Sequence, residues 1–131
     1  MKTAGHPHEE LINHVKEDFA EILAQSPQGI SIYLDDPHWT CNDKLATMLG
    51  YASADELLKV TAKSSFLDAL VAEDSLQRVP ETYFKAVNDK IGSVIPLTWK
   101  KKGGGTLKTQ VIFVPISVHG NLMVVHFVTP V

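Results

Sequence analysis

The chain has 131 residues and a mass of 14.4 kDa, enough to close the core of one domain without staples. It is 44% hydrophobic and 21% charged, with one cysteine, Cys41, and no apolar run near the roughly 18 residues of a membrane span. These figures exclude an internal disulfide, a Cys-built zinc site and an iron–sulfur cluster held by this chain alone, as well as a spanning helix. The net charge of −3 gives no general attraction to nucleic acid or to anionic membranes, and no secretory apolar region follows Met1, so the expected location is the cytoplasm.

Charge and composition shift together along the chain. Residues 1–92 carry all 15 acidic residues against 8 lysines and arginines, a charge of −7, while residues 93–131 carry 4 lysines and no acid. The first part reads mainly as helix and the last third as strands. Neither closes a core alone, so the expected architecture is a single α+β domain.

Residues 1–7, polar and carrying Gly5 and Pro7, are expected to form a loose leader. From His8 to Ala24 the apolar period is helical, with Glu9 and Glu10 at the positive end of the dipole. Ile12, Val15, Phe19 and Ile22 recur at spacings of three and four, flanked by Leu11 and Leu23. A helix this short is marginal alone, so its stripe needs a cover, either the chain's own domain or a second copy. Ser26-Pro27-Gln28-Gly29 ends this segment of residues 8–26, and the body of the domain spans 27–131.

In the body, Ile30, Ile32 and Leu34 alternate with Ser31 and Tyr33, which predicts a half-buried strand. Asp35-Asp36-Pro37 reads as a turn and His38 to Cys41 as a short returning strand. Asn42 or Asp43 is placed to cap a helix bearing Leu45, Met48 and Leu49, ended by Gly50. Ser53 caps the next helix, with Glu56 placed for a capping box. Residues 59–65 read as loop, followed by a helical turn with Phe66, Leu67 and Leu70. Asp74 is expected to cap a longer helix reaching about Asn88. Its apolar positions are Leu76, Val79, Tyr83, Ala86 and Val87, with a kink or restart at Pro80. Antiparallel strands over 94–101, 107–118 and 122–128 complete the chain, joined at Gly103-Gly104-Gly105 and His119-Gly120-Asn121.

Five local motifs accompany this order. They are Gly29-Ile30-Ser31-Ile32 with Asp35-Asp36; Asn42 followed by Leu49-Gly50-Tyr51-Ala52-Ser53 and Glu56-Leu57; and Val71-Ala72-Glu73-Asp74. Lys101-Lys102-Gly103-Gly104 and Pro115-Ile116 with Gly120 are the last two. In that order, over about residues 27–128, they resemble the PAS sensory-domain family. The resemblance implies a PAS-like five-stranded antiparallel sheet with short helices on one face, preceded by the amphipathic N-terminal helix. It implies a non-catalytic sensory or protein-interaction domain in signal transduction, its partners a second copy of the chain and a signalling-output protein or domain. Two departures stand out. Gly104 replaces the first hairpin's usual Asp, and Val128-Thr129-Pro130-Val131 replaces the Asp-Ile-Thr element that couples many members to an output helix.

The resemblance also frames the cofactor question. Flavin photosensors of the family carry a Gly-x-Asn-Cys-Arg-Phe-Leu-Gln run that has no counterpart here. Cys41 instead precedes Asn42 and reads as a small buried hydrophobe. Haem-binding members place a proximal histidine on the long internal helix, and residues 74–88 contain none. No cofactor and no metal is therefore expected. His6 and His8 fall in the leader and its border, His119 in a turn, and His126 faces outward if Met123, Val125 and Phe127 face the core. No nucleophile elbow, zinc-protease helix or phosphate loop occurs. Lys100-Lys101-Lys102 reads as a solvated hairpin tip, and Trp39 and Trp99 as core or rim anchors.

What remains is an apolar interior between the helices and one face of the sheet. Its expected walls are Ile32, Leu45, Met48, Leu49, Phe66, Leu70, Val79 and Tyr83, with Leu97, Ile112, Val114, Val125 and Phe127 from the strands. It is either a pocket for a small apolar ligand or a fully packed core. A homodimer is expected through Leu11, Ile12, Val15, Phe19, Ile22 and Leu23, with the outer sheet face as second surface. The rival readings are a haem or flavin sensor of the same fold and a small cone-fold enzyme resembling ketosteroid isomerase. The enzyme needs an acid–base pair in an apolar cavity, for which Tyr33, Tyr83 and Asp68 are the nominees.

Overall fold

The computed structural model describes residues 7–35 and 38–131. The expected leader thus lies outside the described residues up to position 6, as do Asp36 and Pro37 of the expected turn. Pro7 opens the first helix, where its missing N–H has no partner to lose.

Five strands form one antiparallel sheet in the order β2-β1-β5-β4-β3. They are β1 (Gly29–Asp35), β2 (His38–Cys41), β3 (Ser93–Lys100), β4 (Thr106–Val118) and β5 (Asn121–Pro130). The β4–β5 turn is set by His119 and Gly120 at φ 49° and 79°, the positive pair that a two-residue hairpin demands. Around β1 and β5 the sheet is covered on both faces. The residues of β1 from Gly29 to Ser31 are all buried, as is Ile32, where alternation alone predicts a half-buried strand.

On one face lie α3 (Asp43–Met48), α4 (Ala54–Ala62), α5 (Phe66–Leu70) and α6 (Arg78–Phe84). Asn42 caps α3 and ties it to the sheet: its Oδ1 accepts from the backbone N–H groups of Leu45 and Ile30, both at 3.0 Å, and its Nδ2 donates to Gln28 O. Ser53 accepts from Glu56 N, while Glu56 reaches back one residue further than a standard box, to Ala52 N at 2.7 Å. Helix α4 runs on to Ala62, through the segment expected as loop, because Thr61 is buried and its hydroxyl accepts from Trp39 Nε1 at 3.0 Å. Asp74 does not cap a helix. It sits in a 3-10 turn (Glu73–Ser75), where its carboxylate accepts from the Ser75 and Thr98 hydroxyls and so fastens the turn to β3. The long helix is accordingly two pieces, α6 with Pro80 in its first turn and a π-helical turn over Lys85–Asp89.

On the opposite face lie α1 (Pro7–Asp18) and α2 (Ala20–Gln25), broken at Phe19. Leu11 and Val15 pack with Ile30, Ile32, Leu34, Met123 and Val125 into a second core, and Phe19, Leu23, Val114 and Phe127 border it. Ile12 is also buried, whereas Ile22 is 60% exposed. The stripe therefore tracks toward Leu23 rather than Ile22. It is covered by the chain's own sheet, and this corrects the expectation that Leu11, Ile12 and Val15 stand free for a second copy.

Candidate functional site

Two-sided burial inverts the assignment of faces. Ile30, Ile32 and Leu34 point toward α1, so Ser31 and Tyr33 point into the helix-covered interior. On β5, Met123 and Val125 belong to the α1 side, and Val124 and Val128 to the interior. His126 follows Val124 and Val128. The outward placement expected for it is wrong: it is 5% exposed and faces the interior. The signal was present in the unbroken apolar run around it, which marks a strand buried on both faces.

A cavity of about 200 Å³ opens there, lined by Tyr33, Phe66, Leu67, Val79, Pro80, Tyr83, Phe84, Phe113 and His126. Its walls are mostly rings. Phe66 sits edge-on to Tyr33, Trp39 and Trp99 with centroids 5.5, 5.0 and 5.8 Å away, and Tyr33 meets Tyr83 at 5.4 Å. Phe113 stands perpendicular to the His126 ring at 4.4 Å. Tyr83 donates its hydroxyl to Leu34 O at 3.3 Å.

Of the expected wall residues, Phe66, Val79 and Tyr83 reach the cavity. Leu45, Leu49, Leu70 and Leu97 are fully packed in the same core without lining it, and Met48 borders a separate groove beside Pro27 and Val128. Ile32, Val114, Val125 and Phe127 lie on the α1 side, and Ile112 is 40% exposed beyond it. These five cannot share a pocket with Phe66, because the sheet lies between them. Tyr33, Leu67, Pro80, Phe84, Phe113 and His126 are the wall residues that the sequence reading missed.

His126 is a buried polar residue of the cavity wall, which also carries Tyr33 and Tyr83. Its Nδ1 lies 2.8 Å from Ser31 Oγ, its cross-strand partner on β1. Burial drives the ring's pKa down to about 3, so it is neutral. Ser31 is fully buried and has no other partner among the described residues. An orphaned buried hydroxyl proton is costly, so Ser31 donates to Nδ1, which makes Nε2 the N–H. No fully buried side-chain polar atom among the described residues lacks a partner, so Nε2, which has none, opens onto the cavity as a single donor.

The remaining candidates fall into structural roles. Burial and the nearby Asp43 push the Cys41 thiol up to about 12, which leaves it unreactive. Trp39 and Trp99 are buried and donate to Thr61 and Thr109. Lys100 and Lys102 stitch the hairpin tip to Asp68 O and Glu56. Asp68 is exposed and outside the cavity wall, so it does not join Tyr33 and Tyr83 as an acid–base set.

No family model matches the chain, and no curated protein matches it by sequence. Solved structures do. A PAS domain from a two-component sensor histidine kinase superposes with a TM-score of 0.64 at 12% identity, over 91% of this chain and 99% of that one. The PAS domain of an HTR-like protein from Haloarcula marismortui gives 0.64 at 12% identity, over 94% and 97%. This chain has the PAS fold. A further PAS domain, from a LuxR-family transcriptional regulator of Burkholderia thailandensis and solved in complex with ethanol, matches with a TM-score of 0.58 at 21% identity, over 84% and 95%. The PAS-like motifs occupy their elements: Asn42 caps α3, Gly50 takes φ 91° at its end, and Gly103, Gly104 and Gly105 form the first hairpin tip.

Proposed function

We propose that this PAS domain is a non-catalytic sensory module whose cavity binds a small, mostly apolar molecule carrying one hydrogen-bond acceptor. The observation that carries the reading is the ring-lined cavity with a donor, His126 Nε2–H, at its wall. Its volume of about 200 Å³ lies below the roughly 300–1,000 Å³ of drug-sized sites. That size suits one ring or a short chain and disfavours haem or flavin. The similar PAS domain solved with ethanol supports a ligand of this class. A neutral imidazole with a pKa near 3 is a poor general base, and among the described residues no carboxylate lines the cavity, which weighs against the cone-fold enzyme.

Acetophenone and ethylbenzene test it, since they share a ring and differ in an acceptor. Acetophenone should raise the melting temperature and perturb the amide signals of Val124 and Phe113 more than ethylbenzene does. His126→Phe should abolish that preference. Equal, saturable binding of both probes refutes the donor's role, and no binding of either refutes the cavity. Self-association belongs to the same proposal, with a second copy seated on the strip of sheet that α1 leaves bare. Val94 and Ile112 are cross-strand partners there, 56% and 40% exposed. Sedimentation of wild type and Ile112→Glu tests it: a wild-type monomer at high micromolar concentration removes that part.

A further inference from the structure

A cluster away from the cavity brings three metal-binding groups together from three elements. His8 lies in the first turn of α1, Asp35 ends β1, and His38 opens β2. His8 Nδ1 is 2.7 Å from Asp35 Oδ2, and His38 Nδ1 is 2.5 Å from Asp35 Oδ1. One ligating atom from each falls within 4.8 Å of the others, and all three residues are half-buried. Asp35 and His38 are fixed by pairing across the hairpin, while His8 is 27 residues from Asp35 in sequence.

We propose that His8, Asp35 and His38 bind a divalent first-row transition metal, with Zn²⁺ the best fit, and that the ion fastens α1 to the β1–β2 hairpin. Two imidazoles and one carboxylate are a borderline donor set, which selects Zn²⁺, Co²⁺ or Ni²⁺ over the oxygen-seeking Ca²⁺ and Mg²⁺. Bonds of about 2.0–2.2 Å in a tetrahedron put donors roughly 3.3–3.5 Å apart. The present hydrogen-bonded spacings of 2.7 and 2.5 Å reach that with shifts of about 1 Å or less. Each imidazole would coordinate through Nδ1 and carry its proton on Nε2, so the protons now shared with Asp35 move to Nε2 or leave to solvent. Three protein ligands leave a fourth position for water. His38 also borders a cleft with Glu9, Ile12, Trp39 and Leu58, which gives an ion a way in.

An ion held this way binds only while α1 is docked, because His8 rides on α1. Metal binding therefore shifts α1 toward the docked state by mass action. This inference stands apart from the cavity and survives its failure. The test is a calorimetric titration of the untagged full chain with Zn²⁺, repeated with Co²⁺ and followed by visible absorption. One ion per chain is expected, with the intense bands of low-coordinate Co²⁺. His38→Ala and Asp35→Asn should each weaken binding by at least about tenfold, whereas His14→Ala, in the same helix but outside the cluster, should not. Amide exchange in α1 should slow when Zn²⁺ is added. No binding, or binding unchanged in His38→Ala and Asp35→Asn, overturns the site. Binding that leaves α1 exchange unaltered overturns the fastening.

Discussion

His126 shows how much one side chain's facing decides. In the interior it is neutral and desolvated; in the unfolded chain it titrates near its usual 6.5. The folded state therefore resists a proton that the unfolded state takes up, and stability falls as pH drops from about 6.5 toward about 3. Between pH 7 and pH 5 that one group removes about 2 kcal/mol. Urea melts of wild type and His126→Gln at both pH values isolate it: the variant should lose about 2 kcal/mol less than wild type, whatever its starting stability. An equal loss in both would mean that the ring is not held desolvated. Asn42 makes the same point for a neutral group. It is 4% exposed and satisfies two backbone donors and one acceptor at once. Asn42→Ala should cost about 2–3 kcal/mol, against about 1 kcal/mol or less for Ser65→Ala, whose cap on α5 is exposed. Chemical denaturation of the two variants checks the ratio.

The order of the elements was legible because caps, turns and period-two runs are local signals, and Ser53, Gly50 and Gly120 sit where they demand. Which face of each strand met which layer was not legible. Period two separates Ile32 from Tyr33 but does not say which one lies under α1, and both environments are apolar. The pocket list failed through that ambiguity, for Ile32, Val114, Val125 and Phe127 alternate correctly and face the other core. Residues 59–62 looked like loop because the interactions that hold them, Trp39 to Thr61 above all, are tertiary. The difference between lining and packing can be measured. Phe66→Trp has the cavity beside it and should cost under about 1 kcal/mol. Leu97→Trp has none, being 2% exposed in the packed core, and should cost about 1–3 kcal/mol or more. Equal costs in urea melts would mean that the cavity does not accept added volume.

At the scale of the molecule, the sheet separates two cores, and α1 is what closes the second. Its stripe reads equally well as a dimer seam or as an inner cover, since amphipathic period reports that a face is buried and not by what. Exposure within the chain discriminates: Val15 is 0% exposed among Ile30, Ile32, Met123 and Val125, while Ile22 is 60% exposed. Val15→Glu then buries a carboxylate with no partner, and the chain's choices are to protonate it, to undock α1 or to unfold. Destabilisation of about 3 kcal/mol or more is expected, with protease sensitivity appearing first between Pro7 and Gln25. Ile22→Glu should stay within about 0.5 kcal/mol of wild type. A dimer seam makes the opposite forecast, that Val15→Glu converts a dimer into a monomer of undiminished stability and Ile22→Glu weakens the same association. Urea melts and sedimentation on the two variants separate these outcomes, and a Val15→Glu protein as stable as wild type would show that α1 is not the lid of the second core.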